Sequence, residues 1–81
     1  MTDPLMPLAM VSPGRTVQVA GIRAGRGLTR RLADMGLTLG VSIRIINSHT
    51  CGPILIDLRG SRLVLGHGVA QKILVTECEN G

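Results

Sequence analysis

Thirteen residues, Leu28-Thr29-Arg30-Arg31-Leu32-Ala33-Asp34-Met35-Gly36-Leu37-Thr38-Leu39-Gly40, encode a short helix, its stop signal and a tight turn into a strand. Leu28, Leu32 and Met35 recur at i, i+4 and i+7, which sets three apolar side chains on one face of a helix over about Leu28–Met35. Arg30, Arg31 and Asp34 fall on other faces. Gly36 suits the left-handed C′ position that ends a helix, and Leu37 at C″ can then touch Leu32 at C3, as a Schellman ending prefers. Thr38-Leu39-Gly40-Val41 reads as a turn, with Gly40 where type II geometry needs a positive φ.

Strand signals flank this unit. Ser12-Pro13-Gly14 turns the chain, and Leu8 to Val11 before it can tuck against a domain. Thr16-Val17-Gln18-Val19 alternates polar and apolar, with Ala20-Gly21-Ile22 continuing it through a kink. Arg23 to Gly27 is a glycine- and arginine-rich loop in which Gly27 serves as a weak N-cap. Val41, Ile43 and Ile45 share one face of a second strand, and Asn47 to Gly52 forms a polar loop. Ile54 to Arg59 is a third strand. Gly60-Ser61 fits a type II′ hairpin turn, which sets Arg59 across from Arg62, Leu58 from Leu63, Asp57 from Val64 and Ile56 from Leu65. A short helical piece lies within Gly66 to Lys72, and Ile73 to Glu77 closes as a fifth strand.

These pieces predict a mainly β chain: a small five-stranded SH3-like barrel with one α-helix inserted between strands one and two and a short helical turn before the last strand. The expected layout is a flexible N-terminal tail over 1–7, the barrel domain over 8–77 and a C-terminal tail over 78–81. The chain has 81 residues, 44% of them hydrophobic, and no Phe, Tyr or Trp. Its core is therefore built from Ile, Leu, Val and Met, at roughly 1.5–3 kcal/mol per fully buried side chain. So thin a core leaves room for self-association. The missing aromatics also exclude the peptide-gripping groove of proline-binding SH3 domains.

The order of the motifs resembles the FeoA family, the small cytoplasmic protein A of bacterial ferrous-iron uptake. The resemblance runs from about Leu8 to Val75. It is carried by Pro13-Gly14, by Arg31-Leu32-Ala33-Asp34-Met35-Gly36-Leu37 with Gly40 after it, by Asp57-Leu58-Arg59-Gly60-Ser61, and by Ala70, Ile73 and Val75. One departure is Leu39, where the family commonly has proline. The resemblance implies an SH3-like barrel that serves as accessory to a large membrane protein coupling a GTP-binding domain to Fe²⁺ permeation. The same barrel type occurs as the C-terminal domain of iron-dependent repressors, a likeness of fold alone.

Nine Lys and Arg against five Asp and Glu give a net charge of +4, which favours acidic neighbours without choosing among them. Arg23, Arg26, Arg30 and Arg31 surround the start of the helix. Arg30 and Arg31 are expected in its first turn, where the dipole disfavours cations. They are candidates for contact with an acidic surface of the transporter's cytosolic part; the competing reading is a solvated face. Ile46 and Leu55 fall out of register with the buried faces and are expected to point outward beside Leu74, as an interface patch or under a cover from elsewhere in the chain.

His49 and Cys51, with Cys78 between two glutamates, are ligand types for a transition metal such as Zn²⁺ or Fe²⁺, although their spacing fixes no four-ligand set. No cofactor is required. Scattered carboxylates and the lack of a P-loop or of any nucleophile–base spacing predict a non-enzyme. No apolar run reaches the ~18 residues of a membrane span, so the expected location is cytoplasmic with reduced thiols. An RNA-binding SH3-like module is the main competing function, favoured by a pI of about 10.6. It is disfavoured because single-strand binders use aromatic stacking, so nucleic acid is not the expected partner. A metallochaperone is the weakest alternative.

Overall fold

Alternation of inward and outward residues organises the chain, which the computed structural model describes over residues 5–48 and 52–77. In chain order come β1 (Met6–Pro7), a 3-10 turn (Leu8–Met10), β2 (Thr16–Ile22), α1 (Arg26–Asp34) and β3 (Ser42–Ser48). There follow β4 (Ile54–Leu58), β5 (Ser61–Leu65), α2 (His67–Lys72) and β6 (Ile73–Glu77). The strands form one antiparallel sheet in the order β1-β6-β2-β3-β4-β5. This is a mainly β, SH3-like fold with α1 inserted between β2 and β3.

The sheet has six strands rather than the five expected, because Met6 and Pro7 pair with Val75 and Leu74 of β6. Two residues are too few to show a period, so β1 is silent in the sequence. Part of the expected tail over 1–7 is thus tied to the sheet. The expected tail over 78–81 lies outside the described residues. Leu8 is fully buried and Val11 nearly so, as the tucked segment requires.

The core follows the period of two. Val17 and Val19 of β2, Ile43 and Ile45 of β3, Ile54 and Ile56 of β4, and Ile73 and Val75 of β6 are each at most 1% exposed. No polar or charged side chain is buried among the described residues. β2 continues past Val19 with a register shift before Gly21, the kink expected at Ala20-Gly21. β3 runs on to Ser48 through a second shift between Ile45 and Asn47, which moves Ile46 out of the inward row.

α1 starts two residues earlier than its apolar spacing suggests. Gly25 is the N-cap in extended conformation, and the Thr29 N–H donates to the Gly25 carbonyl at 3.1 Å, closing the first turn. Two glycines, 25 and 27, compete for the cap, and Arg26 is a good helix former, so the longer helix wins. The ending is a Schellman motif. Leu37 N–H donates to Leu32 C=O at 2.8 Å, Gly36 N–H donates to Ala33 C=O at 2.9 Å, and Gly36 has φ +96°. Leu32 and Leu37 are both buried, whereas Met35, expected on the docking face, is the C-cap residue and 39% exposed.

The turn that follows is stapled to β2. Val41 N–H donates to Thr38 C=O at 3.2 Å with Gly40 at φ +90°, while Gly40 N–H donates to Val19 C=O at 2.7 Å. The helix exit is thereby fixed against the middle of the sheet.

The β4–β5 hairpin differs from its expected form. Its loop is Arg59-Gly60, with φ +52° and +89°, the two positive values of a type I′ turn rather than the type II′ turn at Gly60-Ser61. Leu58 faces Ser61, Asp57 faces Arg62, Ile56 faces Leu63 and Leu55 faces Val64. Asp57 Oδ1 accepts the Gly60 N–H at 2.8 Å, a local bond that favours the Arg59-Gly60 loop. Type I′ geometry matches the twist of the flanking strands, and arginine takes the left-handed cost.

Candidate interaction surface

Arg26 and Arg30 are four residues apart on α1 and share one face of it. With Ala24, Gly27, Thr29 and Ala33 they line a shallow depression beside the helix start. The Thr29 hydroxyl donates to the Ala24 carbonyl at 3.4 Å, which ties the loop to the first turn. All four candidate arginines, 23, 26, 30 and 31, are exposed, and none of them pairs with an acid among the described residues.

They do not form one cluster. Arg31 is one residue on from Arg30, about 100° around the helix, and does not line the depression. Arg23 is held by its backbone, its N–H donating to Lys72 C=O at 2.7 Å at the end of α2. The earlier helix start also changes which arginine meets the dipole. Arg26, not Arg30 or Arg31, stands in the first turn, and Arg31 is in the last turn, where a cation is favoured. Neither the N-cap side chain nor a first-turn acid neutralises the N-terminus, so Arg26 is the one arginine placed against the dipole.

Ile46 and Leu55 are half-buried. Ile46 occupies the bulge of β3, and Leu55 faces Asn47 on one side and Val64 on the other. Leu74 is not beside them. It faces Gly21, and β2 lies between its strand, β6, and β3. The outward neighbour that sequence reasoning missed is Val64, 66% exposed. Its signal is that of a β-branched residue at an outward position, but a type II′ loop at Gly60-Ser61 would place it opposite Asp57. Arg44, Asp57 and Arg62 form the adjoining outward row across β3, β4 and β5.

His49 and Cys51 lie outside the described residues. Among those described, no group of three or more His, Cys, Asp or Glu side chains stands together as metal ligands. His67 is the first residue of α2. Its Nε2 is 3.1 Å from the Gln71 amide nitrogen, and its Nδ1 is buried without a hydrogen-bond partner among the described residues. No helix of the described residues is long and apolar enough to cross a membrane.

Comparison with known proteins gives a consistent picture. The family model described as "FeoA domain" matches residues 6–77. A protein of Methanocaldococcus jannaschii named "Putative Fe(2+) transport protein A" is 38% identical over 77 residues, covering 95% of this chain and 93% of that one. The crystal structure of an iron uptake regulatory protein (FeoA) superimposes with a TM-score of 0.86 at 35% identity, over 93% of this chain and 100% of the other. A manganese-dependent transcriptional repressor matches with a TM-score of 0.85 at 28% identity, over 96% of this chain but 44% of its own.

Proposed function

The chain belongs to the FeoA family, and on that premise we propose that it is a cytoplasmic, non-enzymatic accessory of ferrous-iron transport. It binds the cytosolic part of a GTP-binding membrane transporter and modulates it by protein–protein contact. The observation that carries the choice of surface is Arg26. A cation in the first turn of a helix with no capping side chain opposes the dipole by a few tenths of a kcal/mol up to ~1, a cost that an acidic partner surface offsets. Arg30, on the same face and lining the same depression, doubles the charge presented there.

The reading is supported by the family match and by the name of the relative from Methanocaldococcus jannaschii, a protein of Fe²⁺ transport. The test is reversal of both charges, Arg26→Glu with Arg30→Glu, in cells that depend on this chain for ferrous-iron uptake. Uptake and co-purification with the membrane transporter should both fall. Unchanged uptake and unchanged co-purification in a folded double variant would remove this surface from the function.

A further inference from the structure

The sheet has two ends, and they are not alike. β1 is two residues long and includes Pro7, so it offers a partner strand little backbone to pair with. β5 has five residues, Ser61–Leu65, and pairs with β4 alone. Within a two-residue hairpin the residues next to the loop, Leu58 and Ser61, form a hydrogen-bonded pair, and bonded and non-bonded pairs then alternate. Arg62 and Val64 are therefore in non-bonded pairs with Asp57 and Leu55. Their own N–H and C=O groups point away from β4, and no other backbone group among the described residues takes them up.

The same two residues are exposed on the outer face, Val64 at 66%. Arg62 has no salt-bridge partner among the described residues, and one oxygen of the opposite Asp57 is engaged by Gly60 N–H. Arg44 continues the row on β3, and Arg59 stands at the hairpin tip. We propose that the β5 edge receives, as a seventh strand, an extended acidic segment of a partner protein, with a carboxylate beside Arg62 and a β-branched side chain beside Val64. A second copy fits less well. Antiparallel pairing of two β5 strands about Leu63 sets each Arg62 diagonal to the other, at about 7–8 Å, so like charges meet where the acidic segment brings opposite ones. This inference is independent of the α1 surface and of the transporter reading.

The test uses the whole ¹⁵N-labelled chain titrated with the capped peptide Ser-Glu-Ser-Val-Ser, whose Glu and Val share one strand face, and, separately, with Ser-Lys-Ser-Val-Ser. With the acidic peptide the Arg62 and Val64 amides should shift, and their hydrogen exchange should slow by roughly tenfold. The basic peptide should leave both unchanged. Val64→Pro, which removes an N–H that β4 does not use, should abolish the response. Arg62→Glu should weaken the acidic peptide by about fivefold and admit the basic one. Dispersed amide spectra verify that each variant is folded, and Arg62→Glu alone suffices if Val64→Pro is not. The proposal is overturned by silence at Arg62 and Val64, by equal response to both peptides, or by shifts confined to the α1 arginines. It is overturned equally if these amides are protected without peptide in a chain whose mass in solution doubles, since a second copy then holds the edge.

Discussion

A Cβ on Gly36 would stand 2.9 Å from Cδ2 of Leu58, closer than packed carbon atoms approach. Gly36 closes α1 at φ +96°, and Leu58 ends β4 at 6% exposure. One glycine thus serves two ends: it accepts the left-handed backbone of the Schellman turn, and it lets the helix terminus settle on the sheet.

The two demands can be separated by measurement. Gly40 has nearly the same backbone, φ +90°, and apart from its chain neighbours no atom lies within 4 Å of where a Cβ would stand. Gly40→Ala should therefore cost about 1–2 kcal/mol, the left-handed strain alone. Gly36→Ala should cost that and about 1 kcal/mol more, because Leu58 must turn within a filled core. Urea unfolding of the two variants supplies the difference. Equal losses would mean that Leu58 gives way freely.

Leu39 occupies the second position of the Thr38–Val41 turn, 66% exposed, and its N–H makes no backbone bond among the described residues. Leu39→Pro removes unfolded-chain freedom without removing a bond, so it should stabilise by about 0.4–1 kcal/mol. The midpoint of urea unfolding should rise at constant slope. A fall would show that the local backbone does not accept the ring.

At the hairpin, Arg59 holds φ +52°, a region where asparagine is at home and arginine is not. Arg59→Asn should stabilise by about 0.5–1 kcal/mol, which in a domain of this size is a rise of about 2–8 °C in Tm. A lowered Tm would mean that the arginine side chain contributes more than its backbone costs.

That hairpin also marks the limit of what the sequence discloses. Leu58, Leu63, Ile56 and Leu65 face inward under either loop, Arg59-Gly60 or Gly60-Ser61, so hydrophobic alternation cannot choose between them. The choice rests on a local bond, Asp57 Oδ1 to Gly60 N–H, and on arginine's tolerance of an unusual backbone. The helix ending and the Gly40 turn were legible because glycine there is close to obligatory. The helix start was not, since two glycines fit equally and nothing apolar marks Arg26. For the surface, residue types were legible but their grouping was not. Arg26 and Arg30 share a face that Arg31 leaves, and Leu74 proved to be separated from Ile46 by β2.

Arg15 and Glu77 form an ion pair between the loop before β2 and the end of β6, with side chains 56% and 51% exposed. An exposed pair of this kind is worth about 0–1 kcal/mol and is screened by salt. Glu77→Gln should lower the unfolding free energy by no more than that, and by less at high salt. A larger loss would mean that the pair fixes the register of β2 on β6.

The sign of the effect at Arg26 separates a binding role from a folding role. As the first residue of α1, with no acid in that turn and no capping side chain, it sits where the helix dipole favours a carboxylate. Arg26→Glu should accordingly stabilise the isolated chain by about 0.3–1 kcal/mol, while Arg31→Glu, in the last turn, should destabilise it by a similar amount. A residue kept for the fold would not improve the fold when reversed. If Arg26→Glu raises the unfolding midpoint and at the same time weakens co-purification with the transporter, the loss of binding cannot be ascribed to unfolding. If it raises stability and leaves binding intact, the arginine is solvated surface and the contact must be sought elsewhere on the molecule.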